Sequence, residues 1–325
     1  MTPSFRVFAD DVEITNAIRD WLIFLSVTDE AGWQSDTVEI RLDDRDGVIK
    51  LPRKGAKLNV RLGYREDGLV RMGLFVADEL ALSGPPDTLV IRGRAADMEA
   101  GLKEHKTRPW DNVTMGGMVE AIATEHGLTP AVGDFLAPID IPHLDQTEES
   151  DLHLLTRLAR QYDAVAKPAN GYLLFVPKGE AKTATGKLIP TVAIHRNQTS
   201  EHRVTLADRG RYRSVVAHWH DTGTGERVAV RVGDGRPAFT LRHAYPNAVA
   251  AGDAARAKLD ALGRGLGEIS LTLKHGSPSL FAEAKLVLSD FRRGVDGEWV
   301  ATRVSHNLGD GGYETRVEAE APKGQ

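Results

Sequence analysis

The sequence predicts a mainly β protein in which one kind of β unit occurs twice, with an α+β insert between the two copies. Along the first hundred positions apolar residues alternate with polar ones, which is the pattern of half-buried strands. In "DTVEIRLDD", for example, Val38, Ile40 and Leu42 alternate with polar neighbours. The periodicity becomes helical from about residue 97 and returns to the strand pattern after Leu188. A chain of 325 residues is long enough for two or three such domains.

Residues 1–96 form the first predicted β unit. Glycine and proline separate its strand-like segments, which are "AIRDWLIFLSVTDEAG", "DTVEIRLDDRDG", "AKLNVRLGY", "GLFVADELALSG" and "DTLVIRGRA". Short alternating segments joined by tight turns indicate an antiparallel barrel or sandwich.

Residues 97–187 form the predicted α+β middle domain. In "TMGGMVEAIATEHGL" the spacing predicts a helix with Thr114 as N-cap and Gly127 as the residue that stops it. Its apolar face is expected to comprise Met115, Met118, Val119, Ile122 and Ala123. "GYLLFVPKG" reads as a strand, and "KGEAKTATGK" has the composition of a linker or exposed loop.

A second helix is predicted in "QTEESDLHLLTRLARQYDA", residues 146–164. Its apolar stripe would consist of Leu152, Leu155, Leu158, Ala159 and Tyr162. Thr147 would cap the helix, and Glu148, Glu149 and Asp151 would fall in the first turns, where the helix dipole favours acids. Adjacent Glu148 and Glu149 would project about 100° apart on a helix, so they would not form a catalytic pair. These acids are therefore interpreted as structural.

Residues 188–325 form the second predicted β unit. Its strand-like segments are "HRVTLA", "YRSVVAHWHD", "ERVAVRVG", "AFTLRHAY", "EISLTL", "AKLVLSDF", "EWVATRVSHN" and "YETRVEAEA". The alanine-rich segment "PNAVAAGDAARAKLDALGRG" predicts a helix, with Pro246 near its start. We place a helix-containing insertion at about residues 211–267.

A weak repeat links the two β units. Ala56, Lys57 and Leu58 correspond to Ala284, Lys285 and Leu286; Gly73, Val76 and Ala77 to Gly297, Val300 and Ala301; Thr88 and Val90 to Thr315 and Val317. The segments follow one another in the same order and at similar spacing. The repeat predicts a duplicated β unit with a helical insert.

Composition excludes several functional classes. A net charge of −5 gives no basis for binding nucleic acid through its phosphates, and the basic segment "LKEHKTR" is interpreted as solvated surface. There is no cysteine, so disulfides and thiolate chemistry are ruled out. The N-terminus lacks the pattern of a secretion signal, and the apolar run "WLIFL" is too short to span a bilayer. We therefore expect a soluble protein with no membrane partner.

No motif in the sequence predicts catalysis, a cofactor or a metal. "LDDRDG" resembles a calcium loop, but Leu42 stands at the first ligand position, and the segment is interpreted as a hairpin turn. His218 and His220 would share one strand face and could begin a metal site, although no third ligand is apparent. A nucleophile elbow and a phosphate-binding loop are both missing. We expect no catalytic residue, no cofactor and no metal, and hence no enzyme.

The chain resembles the late control D proteins of contractile-tailed phages, which are related to the hub region of type VI secretion spike proteins. The matching segments are "VTDEAGWQSDTVEIRLDD", "LPRKGAKLNVRLGY", "GLFVADELALSGPPDTLVIRGRAAD", "DNVTMGGMVEAIATEHGL", "QTEESDLHLLTRLARQYDA" and "GEWVATRVSHNLGDGGYETRVEAEA". The resemblance implies two tube-like antiparallel β-barrels flanking a small α+β domain. It also implies a trimeric baseplate hub that joins a six-fold tail tube to a three-fold spike.

The same resemblance names the expected partners. They are further copies of the chain in a homotrimer, a trimeric tail spike protein, and a tail tube or tube-initiator protein, with a tape measure protein as a further candidate. No specific nucleic acid is expected, although DNA would pass through the channel. The protein would belong to the virion tail baseplate and be assembled in the host cytoplasm. Two alternatives stay open, a peptidoglycan-binding module and a wall-degrading tail enzyme.

Overall fold

A computed structural model describes residues 1–32, 35–95, 100–169, 171–178, 190–206, 212–264 and 267–321. The predicted linker "KGEAKTATGK" lies outside these described residues, apart from Lys178. The described part is mostly β-strand with few helices, so the predicted mainly β class with an α+β insert is confirmed.

Seven strands form the first β unit. They are β1 (Pro3–Ala9), β2 (Val12–Glu13), β3 (Leu22–Glu30), β4 (Thr37–Asp43), β5 (Lys57–Tyr64), β6 (Gly68–Ser83) and β7 (Thr88–Ala95), with helix α1 (Thr15–Ile18) between β2 and β3. The segment "LDDRDG" turns the chain after β4, but β4 pairs with β3 and β7 and not with β5, so the hairpin interpretation was wrong.

The middle part contains two helices and five strands. In chain order they are β8 (His105–Thr114), α2 (Met115–Glu125), β9 (Thr129–Val132), β10 (Asp140–Ser150), α3 (Asp151–Tyr162), β11 (Ala164–Ala169) and β12 (Tyr172–Pro177). Strands β8 and β10 pair as an antiparallel ribbon, and β9, β11 and β12 form a second small sheet. Both helices pack with these sheets around one apolar core.

The second β unit begins at β13 (Val192–His195) and contains an inserted subdomain. Its elements are β14 (Thr199–Leu206), β15 (Ser214–Asp221), β16 (Glu226–Gly233), β17 (Ala238–Tyr245), α4 (Ala248–Arg264), β18 (Gly267–Leu273), β19 (Lys285–Ser289), β20 (Gly297–Gly309) and β21 (Gly312–Glu320). Strands β15–β17 form a separate three-stranded sheet, and α4 covers it through Ala251 and Ala255.

The two β units have the same strand order. In one 13-stranded sheet the order is β14-β18-β21-β20-β3-β4-β7-β6-β5-β1-β2, and β19 and β13 continue from the other part of β20. Strands β1, β3, β4, β5, β6 and β7 therefore correspond to β13, β14, β18, β19, β20 and β21. One strand differs in direction, because β1 is antiparallel to β5 whereas β13 is parallel to β19.

The pairing registers of the two units also match. Lys57 faces Val76 as Lys285 faces Val300, and the N–H of Ala77 donates to the Ala56 carbonyl as that of Ala301 donates to the Ala284 carbonyl. Register shifts recur at corresponding places, between Leu22 and Phe24 as between Thr199 and Glu201, and between Ala77 and Glu79 as between Ala301 and Arg303. A β-bulge occurs at a defined position in a pair of strands, so these two corresponding pairs of bulges support the predicted repeat.

One part of the predicted repeat was out of register. The sequence alignment put Thr88 and Val90 opposite Thr315 and Val317, but Ile91 pairs with Leu80 where Val317 pairs with Val304. Leu89 therefore corresponds to Thr315, one residue along from the predicted position. An alignment of two strands that is wrong by one residue places every side chain on the opposite face of the sheet. Comparing short Val-rich segments by sequence alone does not detect such an error.

Helix α2 has the predicted face and ends. The five predicted apolar residues are all buried, the Thr114 hydroxyl accepts the N–H of Gly117 at 3.1 Å, and Gly127 has φ +66° beyond the end of the helix.

Helix α3 begins later than predicted. Ser150 and not Thr147 is its N-cap, and residues 146–150 belong to β10. Residues 146–150 pair with β8 as part of β10 and therefore do not form the first helical turn that Glu148 and Glu149 were predicted to favour. In the described residues no helix is long and apolar enough to cross a lipid bilayer.

Candidate functional site: a continuous polar sheet face

The two β units join where β3 pairs antiparallel with β20. Seven residue pairs form this β3–β20 junction, from Arg303 with Glu30 to Gly309 with Phe24. On the face away from the cores, side chains also meet across it: Thr28 and Ser305 hydroxyls at 3.1 Å, Ser26 and Asn307 at 2.8 Å, and Arg303 with Glu30 at 3.2 Å. The junction makes one sheet of two units.

His306 lies under the junction, fully buried opposite Val27. Its Nε2 lies 3.0 Å from the Leu280 carbonyl, and its Nδ1 lies 2.9 Å from the Tyr313 hydroxyl. Burial lowers the pKa of His306 to about 4, because the charged imidazolium loses its hydration there. The imidazole is therefore neutral at pH 7 in the folded protein.

This lowered pKa predicts a loss of stability in acid. An unfolded His306 binds a proton below about pH 6.5, whereas the folded one resists protonation down to about pH 4. The folded protein should lose about 2 kcal/mol of unfolding free energy from this residue between pH 7 and pH 5. Denaturant unfolding of the wild type and of His306→Gln at both pH values measures it. An equal pH dependence in the two proteins would refute the assignment.

The outer face of the sheet is polar over both units. In the first unit Arg92 contacts Glu39 at 3.0 Å and Glu79 at 2.6 Å, and Arg94 contacts Asp78 at 3.2 Å. These pairs are exposed, so solvent screens them and they contribute little to stability. In the second unit the matching registers place glutamates, Glu318 and Glu320, at the positions of Arg92 and Arg94. The second unit thus repeats the backbone of the first, but at these two positions its side chains are negatively charged where those of the first unit are positively charged.

Lys167 of β11 connects the middle part to both β units. Its ammonium lies 3.1 Å from Asp29, 2.9 Å from Asp36 and 2.8 Å from the Glu30 carbonyl. Asp29 in turn accepts the N–H of Ala282 at 2.8 Å. One half-buried ammonium therefore connects three regions that are remote in sequence.

The two aspartates beside Lys167 have opposite pKa shifts. Burial would raise the pKa of Asp29, but the charge of Lys167 and the Ala282 N–H lower it below its ordinary value. Burial and the neighbouring Asp29 charge raise the pKa of Asp36 to about 6. Two carboxylates share one ammonium, and Asp36, whose pKa is raised, takes up a proton first even though it accepts the backbone N–H of Glu30 at 3.1 Å.

Asp151 is the centre of a second buried polar cluster. Its carboxylate is fully buried and accepts hydrogen bonds from four side chains: Lys106 at 2.6 Å, Arg108 at 2.7 Å, His126 at 2.8 Å and Gln146 at 2.8 Å. Burial alone would raise its pKa, but these donors lower it to about 2. Lys106 and Arg108 come from the segment predicted as solvated surface. For these two residues the prediction was wrong, because β8 turns both side chains towards Asp151, whereas Lys103 and His105 are exposed.

The acids of residues 146–164 do not form a facing pair. Glu149 makes a bidentate contact with Arg157, while Asp151 lies in the cationic cluster. Within the described ranges, a grouping with metal-ligand geometry is Glu125, His126 and Asp151, and Lys106 bonds to two of these three residues. An ammonium already supplies positive charge to these carboxylates. His218 and His220 lie on β15, as the sequence predicted.

Aromatic residues of the middle part offer no exposed stacking platform. Trp110 and Phe175 are buried in the core, and Tyr162 and Tyr172 are partly buried. Phe135 is 82% exposed and stands alone in the loop before β10. Glycan binding would require several exposed aromatic residues along one groove. The geometry therefore does not favour the peptidoglycan alternative.

The fold and this face together define a structural β scaffold built from a repeated unit. Solved structures share the fold over nearly the whole chain. The 43 kDa tail protein of prophage MuSo2 from Shewanella oneidensis has a TM-score of 0.74 at 14% identity, with 98% of each chain covered. A tail protein from Neisseria meningitidis has a TM-score of 0.72 at 12% identity, covering 99% of this chain and 97% of that one. The E. coli c3393 protein, a type VI secretion component, has a TM-score of 0.58 at 12% identity, covering 100% and 78%.

Sequence comparison then identifies the family. The family described as phage tail baseplate hub (GPD) matches residues 52–312. The probable baseplate hub proteins of Escherichia phages 186 and P2 are each 34% identical over 98% of this chain and 93% of their own length. The chain belongs to the phage tail baseplate hub (GPD) family, which confirms the predicted resemblance. It is a structural hub protein of a contractile tail baseplate.

Proposed function

We propose that three copies of this chain form a ring that adapts a six-fold tail tube to a three-fold spike. The supporting observation is the repeated strand order with matching registers and bulges. Three chains with two like units each present six similar backbone positions. The exchange of Arg92 and Arg94 for Glu318 and Glu320 leaves the chemistry of that ring only three-fold. A ring with both properties can contact a hexamer on one side and a trimer on the other.

The proposed hub has a defined set of parts and partners. The segments 1–96 and 188–325 each serve as a tube-like barrel, with 97–187 as the connecting α+β domain and 211–267 as an insertion. A trimeric spike protein binds one side, and a tail tube or tube-initiator protein binds the other, with a tape measure protein as a further partner. The ring has no catalytic role and is assembled in the host cytoplasm. DNA passes without specific binding, since the polar face carries both signs of charge.

The copy number is the direct test. Native mass measurement of hubs released from purified tails should give three copies of the chain, bound to three copies of the spike. The purified chain alone serves as the comparison, because the spike can template the ring. A released hub whose copy number is not a multiple of three would contradict the proposal.

A further inference from the structure

The second β unit contains an insertion that the first unit lacks. Strands β3 and β4 of the first unit are joined by residues 31–36, whereas the corresponding β14 and β18 are separated by the subdomain of β15, β16, β17 and α4. A feature present in one unit only adds something to the repeated scaffold, and its surface chemistry indicates what it adds.

Helix α4 covers one face of the inserted sheet and leaves the other face exposed. Val215 and Ala217 of β15 are buried against α4. On β16 the half-buried Val228, Val230 and Val232 alternate with exposed residues, so this strand has one covered side and one open side. The covered side faces α4, because Val230 and Val232 pack in the same apolar cluster as the helix.

The open side carries arginine and histidine side chains, which form what we call the basic face: His218 and His220 of β15, Arg227 and Arg231 of β16, and Arg242 of β17. Across β15 and β16, His220 pairs with Arg227 and Val216 pairs with Arg231, on the side away from α4. Arg242 follows Leu241, which packs on the covered side. All three arginines are exposed. The inserted sheet is thus apolar on one side and basic on the other.

The guanidinium groups of the basic face have no carboxylate partner in the part of the chain that the structure describes. Arg231 contacts the Ser214 hydroxyl at 3.5 Å. The two acids of these strands, Asp221 and Glu226, occupy paired positions on the side of α4. By contrast, Arg92 on the outer face of the first unit contacts two glutamates. Unpaired arginines grouped on one face produce a positive potential that attracts an anionic partner.

The composition of the basic face is that of a protein-binding surface. Val216 and Ala229, which pair with Arg231 and His218, lie between the charged positions. Interfaces between proteins have an apolar core and are enriched in arginine, whose planar guanidinium binds a carboxylate through two hydrogen bonds. The partner that fits is a segment of a protein chain with acidic side chains.

Spacing and overall charge favour an acidic protein segment over DNA. Arg227 and Arg231 are four residues apart on β16, which is about 13 Å along a strand. Acidic side chains four residues apart in an extended segment have the same spacing. Duplex DNA extends past the face and would meet the rest of a chain whose net charge is −5. A short acidic segment avoids that repulsion.

We propose that the basic face binds an acidic segment of another protein of the tail. Carboxylates of the segment contact Arg227, Arg231 and Arg242, and its apolar side chains pack on Val216 and Ala229. The contact attaches that protein beside the repeated β scaffold, at one place per chain. It does not depend on the number of hub copies.

Binding of defined anions to the purified full chain tests this chemistry. A fluorescein-labelled peptide of ten glutamates should bind the wild type, and more weakly at high salt. Arg227→Glu combined with Arg231→Glu should weaken the binding about tenfold, because it reverses two charges of the face. Arg65→Glu with Arg293→Glu changes the net charge equally at exposed positions elsewhere and is the matched control. Both variants should unfold like the wild type, because the substituted side chains are exposed.

The outcomes distinguish the two kinds of anionic partner. A wild-type chain that does not bind the peptide, or an equal loss of binding in the control variant, would overturn the proposal. Labelled duplex DNA is the second probe, and the wild type should bind it more weakly than the peptide. Stronger binding of the duplex, lost in the Arg227 and Arg231 variant, would identify a nucleic-acid surface instead.

A second test uses assembled tails. The variant with Arg227→Glu and Arg231→Glu should lower the yield of complete tails from the producing cells about tenfold, while the released hub keeps the wild-type copy number. Suppressor mutations that restore the yield should replace an acidic residue by a neutral or basic one in another tail protein. A normal yield, suppressors confined to the hub chain, or an altered copy number in the variant would contradict the proposal. The copy number of the wild-type hub bears on the proposed ring alone.

Discussion

Replacing Asp151 by alanine should destabilise the protein by about 3 kcal/mol, because the change removes a fully buried carboxylate and leaves the half-buried cations Lys106 and Arg108 with Glu125 as their remaining counter-charge. Lys106 and Arg108 would both lose a carboxylate at less than 2.8 Å, while β8 still holds them against the helix α3 terminus. His126 and Gln146 would lose a hydrogen-bond acceptor in the same place. Thermal and denaturant unfolding of the full chain measure this loss.

Two further variants separate charge from packing at Asp151. Asp151→Asn keeps the shape and removes the charge, so its loss should be smaller but clearly measurable. Asp140→Ala, an exposed aspartate on the neighbouring β10, should change stability by less than about 0.5 kcal/mol. An Asp151→Ala variant no less stable than Asp140→Ala would contradict the central role of this carboxylate.

The pH dependence of Asp151 has a definite sign. Its pKa is lowered to about 2 in the folded chain, so its stabilisation is fully present above its ordinary pKa of 3.8. The stabilisation is lost as the pH falls from 3.8 towards 2. The stability difference between wild type and Asp151→Asn should accordingly stay constant from pH 7 to pH 5 and narrow below pH 4.

Replacing Lys167 by methionine should also destabilise the protein, by about 3 kcal/mol, because two half-buried carboxylates would lose the ammonium that they share. Methionine fills a similar volume, so the loss reports charge rather than a cavity. Asp29 and Asp36 would face each other uncompensated at the place where the middle part meets both β units. The unfolding free energy of the full chain at pH 7 gives the comparison with wild type.

Acid should partly rescue the Lys167 variant. Without the ammonium the pKa values of Asp29 and Asp36 rise, so the folded variant binds more protons than folded wild type as the pH falls. Its deficit should therefore shrink between pH 7 and pH 5, and adding Asp36→Asn should recover part of it at pH 7. Lys285→Met, at an exposed lysine of β19, is the control and should stay within about 0.5 kcal/mol of wild type. A deficit that grows in acid would rule out this account.

The local sequence pattern was sufficient to predict most of the secondary-structure elements, and for helix α2 it predicted the buried face and both ends. The strands near Val38, the α2 face and both α2 ends follow from periodicity and capping, which depend only on neighbours in sequence. Strands β1, β8 and β10 were not predicted, because their residues alternate weakly and their pairing partners are distant. The start of α3 was misplaced for the same reason, since β8 extends β10 through residues that would otherwise cap a helix.

The important polar residues were the hardest to predict. Lys167, Asp29 and Asp36 belong to no recognised motif, and Lys167 lies more than a hundred residues from both aspartates. Their spacing in the sequence therefore does not indicate that they form ion pairs. Asp151 was recognised as structural, but for its place in a helix dipole rather than for its contacts with Lys106 and Arg108. Arg227 and Arg231 look like ordinary strand residues until the strand pairing shows that both lie on the side of the inserted sheet away from α4.

By itself the sequence determined that this chain is a duplicated, mainly β hub protein without cysteine chemistry or a recognisable catalytic motif. The mainly β class follows from local periodicity, the duplication from a repeat of segments in the same order and at similar spacing, and the lack of cysteine chemistry from composition. The hub role followed only from the resemblance to the late control D proteins. The tertiary structure alone decided which residues meet across the repeat, where the register falls and which sheet face stays exposed. Pairing between strands is set by side chains hundreds of residues apart, and a shift of one residue inverts the faces without changing the local pattern.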